Sequence, residues 1–330
     1  MIRRVVLIAL PVAVMLAAPG SAAAHAGPTA PVATSFVARV TTKPAGIAVR
    51  VLYGDQELAL RVAPSRTVEV LGLLGEPYLR FGPAGVDVNE ASPTSYLNRA
   101  QPVRVPASAL TGGPPQWRHV SGAHSFRWHE DRLHALAATV RSPHAGYIGP
   151  WTVPLRVAGR TERIEGGLWY VRAPTKLWLW PIVVALACLA ALLRVRSTRL
   201  DSALLVALGG AGLAAIVAGH VEANLFVRPG LAASQVGWLA FASLFAVATG
   251  GLLLHPRWRA LAGLAIAAYA LMAGLTLLPT VRKGHVVIGL PATVDRFTAV
   301  TALTAGLGTL LVVLVHSVPL PRGERSERPS

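Results

Sequence analysis

Five apolar stretches, at about 178–193, 202–219, 236–254, 260–278 and 297–315, constrain this chain more than any other feature. Each approaches the roughly 20 residues a helix needs to cross about 30 Å of hydrocarbon, where every backbone N–H and C=O must be bonded within the segment. The expected architecture is mixed: an N-terminal all-β sandwich ectodomain over 36–175, then a five-helix all-α transmembrane bundle over 176–317. A short tail, 318–330, ends the chain. With 53% of its residues hydrophobic and 14% charged, the chain is too apolar for an ordinary soluble protein.

Charge sets the expected orientation. With the β region outside, the inner segments are Arg194–Arg199, Pro256–Arg259 and the tail carrying Arg322, Arg325 and Arg328. All are short and basic, as the positive-inside rule requires. Arg228, Arg282, Lys283 and Arg296 in the outer segments make the asymmetry moderate. Trp169, Tyr170, Trp178 and Trp180 gather at the start of the first span, where an aromatic belt belongs. The chain therefore reads as a multi-pass plasma-membrane protein, with the lipid bilayer as its first partner, its N-terminal domain extracytoplasmic and its C-terminus cytoplasmic. No Asp, Glu, Lys or Arg lies deep in these spans, which argues against a pump or voltage-driven transporter. Gly209, Gly210, Gly212, Gly250 and Gly251 are expected to permit close helix packing.

The formal charge of +16 does not indicate nucleic acid. Only Lys43, Lys176 and Lys283 of the 31 basic residues are lysines, and no basic run is interleaved with aromatics. Residues 1–24 have the form of a secretory signal: Arg3 and Arg4, an apolar run broken by Pro11, then small residues. Cleavage after Ala24 makes His25 the new N-terminus, whereas cleavage after Ala26 removes it. A flexible arm over 25–35 follows. Cys188 is the only cysteine and lies in an apolar span, so the β region has neither a disulfide framework nor a thiolate zinc site.

From about Phe36 to Arg172 the pattern is β. Ile47, Val49, Val51 and Tyr53 alternate with Ala48, Arg50 and Leu52, and Gly54-Asp55 punctuates the run. Glu57–Val62, Thr67–Leu73, Trp151–Val157 and Arg163–Val171 read as further strands, the last two flanking a hairpin turn. The segments Gly75-Glu76-Pro77-Tyr78-Leu79-Arg80-Phe81, Ser92-Pro93, Tyr96-Leu97-Asn98, Arg127-Trp128-His129 and Arg132 together resemble a family of uncharacterised actinobacterial membrane proteins. The resemblance covers most of the chain and implies a signal peptide, a β ectodomain and C-terminal transmembrane helices, but no biochemical function. Where that family tends to carry Trp-His-Asp-His-Arg, this chain has Glu130 and Asp131, so a ligand role for the second histidine is lost. Similarity to exported copper-resistance proteins of the CopC type is weaker, limited to a signal, an N-terminal histidine and a β domain.

Histidines are the remaining chemical signal. His119, His124, His129, His134 and His144 fall within one short stretch, and His25, His220 and His285 also belong to the outward face on this topology. An N-terminal His25 could chelate copper through its amine and imidazole. His124, His129, Asp131, His134, His220, Glu222 and His285 are further candidate ligands for copper or zinc. If residues 127–134 form a strand, the expectation from the surrounding pattern, His129 and Asp131 share a face. His129 and His134 then point oppositely, about 17 Å apart, and cannot share an ion. If the segment is helical, Glu130 and His134 become an i,i+4 pair. The bland alternative is an ion-pair network of Arg127 and Arg132 with Glu130 and Asp131, over a core Trp128. No nucleophile elbow or phosphate-cradling glycine motif is present, which speaks against an enzyme. Three readings remain: a membrane-anchored copper-binding or delivery protein; a non-catalytic envelope module that binds a protein or sugar partner; and a b-type cytochrome with His220, His285, His255 and His316 at its haems.

Overall fold

The computed structural model describes residues 32–99, 103–134, 144–195, 197–225 and 232–317. The chain divides into a β unit, Val32–Pro174 with Lys283–Val287, and a helix unit formed by Thr175–Arg282 and the segment from Ile288 onward.

The β unit contains β1 (Val32–Thr34), β2 (Phe36–Thr42), β3 (Ile47–Leu52), β4 (Glu57–Val62), β5 (Val68–Leu71), β6 (Pro77–Gly82), β7 (Gly85–Asn89), β8 (Trp117–Ser121), β9 (Ser125–His129), β10 (Gly146–Val157), β11 (Arg160–Tyr170) and β12 (His285–Val287). A seven-stranded sheet runs in the order β2-β11-β10-β5-β6-β7-β8, and a three-stranded sheet in the order β3-β4-β9. Their inner faces share one core. In β4, Leu58, Leu60 and Val62 point inward while Arg61 stays exposed, the alternation that puts one face of a strand in a sandwich core. Val68, Val70, Leu79, Phe81, Val153, Leu155 and Ile164 meet them from the larger sheet. The β10–β11 hairpin closes on Ala158 and Gly159, both with positive φ (46° and 80°), which matches the twist of the flanking strands.

The third ladder was not foreseen. Val32–Thr34, expected to belong to a flexible arm, pairs antiparallel with His285–Val287, Thr34 opposite His285. A strand of the β unit is thus supplied by the segment between the last two long helices.

The helix unit holds α1 (Trp180–Leu193), α2 (Thr198–Leu225), α3 (Ala232–Leu254), α4 (Arg259–Arg282) and α5 (Ala292–Ser317). All five belong to segments long and apolar enough to cross a membrane. Gly274 on α4 and Gly306 on α5 form a reciprocal close approach: an added Cβ would lie 2.7 Å from Leu303 Cγ in one case and from Leu271 Cγ in the other. Gly209 and Gly212 are also tight, against Leu253 and Ile266, whereas Gly210 and Gly251 face open space. The helices run further than the apolar stretches suggested, and they take Asp201, Glu222 and Asp295 into their end turns as buried residues.

Candidate metal centre

His129 is the last residue of β9, opposite Glu57 on β4. The expectation of a strand continuing through His134 is overturned here. Glu130 is still extended, but its carboxylate accepts the backbone N–H of Arg132 at 3.3 Å and caps a 3₁₀ turn, Asp131–Leu133. Leu133 is fully buried in the sandwich core, so the turn is held by apolar burial as well as by its cap. The chain reverses, and His134 returns beside His129.

The two imidazoles then meet nitrogen to nitrogen, His134 Nε2 lying 3.2 Å from His129 Nε2. Asp131 Oδ1 is also 3.2 Å from His129 Nε2. One ligand atom from each of His129, Asp131 and His134 falls within 4.8 Å of the others, and no other such group of three occurs among the described residues. A tetrahedral site with metal–nitrogen bonds of about 2.0–2.1 Å places its ligand nitrogens about 3.3 Å apart. The imidazole pair therefore already stands at ligand spacing.

A fourth residue orients the pair. Asp55 Oδ2 lies 3.3 Å from His134 Nδ1, and the Asp55 side chain is only 9% exposed. With Nδ1–H donated to this carboxylate, Nε2 is left to face His129, the carboxylate–histidine arrangement that supports many metal ligands. Asp55 is positioned by the β3–β4 turn, where Tyr53 and Gly54 take positive φ of 58° and 84°. At Gly54 an added Cβ would come 2.3 Å from Thr34 Cγ2, so only glycine fits. The turn is tied to the end of β9 by Glu130 N–H donating to the Gln56 carbonyl at 3.2 Å.

Electrostatics separates the two histidines. The hydrogen bond to Asp55 holds His134 above the ordinary imidazole pKa, against the opposing effect of burial. Burial, together with the neighbouring His134 charge, holds His129 below it.

Behind the centre lies a buried polar network. Glu130, with no exposed surface, accepts Trp128 Nε1–H at 2.8 Å and a two-pronged bond from Arg132, Nε at 2.7 Å and Nη2 at 2.8 Å. Arg132 also donates to the Leu71 carbonyl at 3.2 Å. Asn98 Oδ1 accepts the Asp131 N–H at 3.2 Å, and Tyr78 packs edge-on against Trp128. Glu76 gathers the hydroxyls of Ser92 and Thr94, at 2.5 Å and 2.7 Å. Burial opposes its ionisation, but these bonds outweigh burial and hold its carboxyl below the usual value. Arg127 turns away, to Glu57 at 3.8 Å and the Tyr53 hydroxyl at 2.9 Å. Tyr78, Asn98, Trp128 and Arg132, remote from one another in sequence, thus meet around one turn. Of the expected ion-pair network only Arg132 with Glu130 forms, beside a buried Trp128; Arg127 pairs with Glu57 instead, and Asp131 lies against His129.

The remaining candidates lie elsewhere. His124 immediately precedes β9 at the end away from His129, roughly 17 Å along the chain, and lines an open hollow with Lys43 and Arg61. His285 sits in β12, where burial and the Arg39 charge hold its imidazole below the ordinary pKa. In the helix unit His220 engages both ring nitrogens, with the Ile216 carbonyl at 3.0 Å and the Tyr269 hydroxyl at 2.9 Å. Glu222 accepts the Thr298 hydroxyl at 2.8 Å. His25 lies outside the described residues. Asp55 was missed in the sequence, where it looks like an ordinary Gly-Asp turn. Its one signal is that a buried aspartate at a hairpin tip must have a partner. No family model, curated protein or solved structure matches this chain.

Proposed function

We propose that this protein is a membrane-anchored, extracytoplasmic metal-binding protein that takes up a transition-metal ion at His129, Asp131 and His134, copper before zinc, and receives or delivers that ion. The observation that carries the reading is the imidazole pair 3.2 Å apart with Asp55 behind one of its members. Two nitrogens and a carboxylate oxygen, without thiolate or thioether, suit Cu(II) or Zn(II), and Cu(II) binds such donors more tightly. The Asp131 side chain is 44% exposed, which leaves the remaining coordination positions open to solvent or to a donor protein's ligands. An open first shell favours exchange over permanent retention.

Titration of the full-length protein in detergent with Cu(II) and Zn(II), against a chromophoric competitor, tests the proposal. One ion per chain is expected, unaffected by His124→Ala. A wild-type protein that leaves the competitor saturated disposes of the reading. Asp55→Asn, which keeps the size of the side chain but removes its charge, is expected to weaken the site about 10–100-fold, the usual effect of losing such a supporting carboxylate.

Acid should compete with the ion in two stages. His134 is protonated up to above the reference value of about 6.5, so below its raised pKa each ion displaces one proton and affinity falls about tenfold per pH unit. His129, held low, adds a second proton only further down, and the slope steepens there. Apparent dissociation constants between pH 5 and 8 report both stages. In the metal-free protein the signs oppose. His134 stabilises the fold below about pH 6.5, and that contribution is lost as pH rises through its folded pKa. His129 costs stability as pH falls from about 6.5 through its own.

A further inference from the structure

The helix unit contains a second polar cluster that the metal centre does not use. Asp295, in the first turn of α5, has no exposed surface, and neither of its carboxylate oxygens has a hydrogen-bond partner. Aimed at it from α2 is Glu222, 1% exposed, whose Oε2 is likewise without a partner. Two hydroxyls complete the surroundings. Thr298 on α5 directs its hydroxyl to Glu222 Oε1 at 2.8 Å and to the Val294 carbonyl at 3.0 Å. Thr280 on α4 faces Asp295, and its hydroxyl donates to the Leu277 carbonyl at 2.7 Å. Arg296, the next residue along, sends its Nε–H to the Thr280 carbonyl at 2.9 Å.

The result is a buried group of oxygens from three helices, rich in lone pairs and poor in hydrogens. Two carboxylates facing one another away from water cannot both stay ionised without a cation between them. We propose that Glu222, Asp295, Thr280 and Thr298 bind a hard metal cation between α2, α4 and α5, with calcium the best fit. The donors are all oxygen, which excludes the soft and nitrogen-preferring metals suited to the histidine centre. Two carboxylates match the charge of a divalent ion. Calcium accepts mono- or bidentate carboxylates in irregular geometry, whereas magnesium demands a near-ideal octahedron and retains waters. The ion would pin the end of α2 to the start of α5, adding to the hydrogen bonds from Thr298 to Glu222 and from Arg296 to the Thr280 carbonyl.

The test uses full-length protein in detergent, stripped with a chelator and re-equilibrated at constant pH with radioactive calcium, with thermal unfolding read in parallel. One calcium retained per chain and an unfolding midpoint raised by calcium are expected. The double variant Glu222→Gln/Asp295→Asn should lose both responses while keeping its helical circular dichroism, because carboxamides supply their own N–H donors to the facing oxygens. That variant should still bind Cu(II), and His134→Ala should still bind calcium, so the two sites succeed or fail separately. Wild-type protein that retains no calcium overturns the proposal. So does a midpoint that responds to pH but not to calcium, which would assign the gap to a shared proton.

Discussion

Glu130→Ala is expected to unfold the β unit at or near ambient temperature. Glu130 is fully buried, and its carboxylate satisfies Trp128 Nε1 and both prongs of Arg132. Removing it leaves a guanidinium, only 16% exposed, without its counter-charge. Breaking one partner of a buried pair costs about 3–5 kcal/mol, a large share of the roughly 5–15 kcal/mol that holds a typical domain together. The cap of the 3₁₀ turn goes with it, so the local structure that returns His134 to His129 is lost first. Limited proteolysis of the β unit in urea, where cleavage reports opening, reads the effect separately from the helices. The control is the joint replacement Glu130→Leu/Arg132→Met. Removing both charges together should recover part of the loss, since no charge is left buried and unpaired, while Trp128 Nε1 still loses its acceptor. A single variant as resistant as wild type would show that the network contributes no net stability.

His134→Ala is expected to lower metal affinity by two to three orders of magnitude. Structural zinc sites with four ligands bind with about 10–16 kcal/mol, or about 2.5–4 kcal/mol per ligand, and each 1.4 kcal/mol is about tenfold in affinity. The loss should exceed that of Asp55→Asn, which leaves all three first ligands in place. The fold should survive, because His134 is 31% exposed and its backbone N–H still closes the turn onto the Asp131 carbonyl. Competition titration of the folded variant separates loss of a ligand from loss of structure. Equal affinities for wild type and variant would remove His134 from the centre.

The sequence carries the architecture well for a physical reason. A lipid-spanning helix must be apolar along its whole length, and a sandwich strand must alternate, so β4 and the five long helices are visible as patterns. The candidate metal centre was half legible. Its three candidate ligands lie within six positions and belong to the densest polar cluster. Their geometry did not show, because periodicity continues a strand until something stops it. What stops β9 is Glu130, a side chain that folds back onto the N–H two residues ahead. Its burial beside Trp128 depends on β4 and the Leu71–Gly72 backbone, which are remote in sequence. Asp55 is equally hidden, since only the ladder between β4 and β9 brings its turn to His134. Asp295 escaped notice for another reason. The helix begins at Ala292, ahead of the apolar stretch, and hydropathy does not report that its first turn carries a carboxylate into the interior.

The short ladder between β1 and β12 has a topological consequence. The chain leaves the β unit before α1 and contributes to it again between α4 and α5, four long helices later. A thread that starts on one side of a barrier and rejoins its own beginning must cross an even number of times, and four satisfies that parity. All four of the helices between the two strands are long and apolar enough to cross a membrane. Cutting the gene after the last residue of β11 would therefore produce a sandwich missing a seam, with Val32–Thr34 left as an unzipped edge.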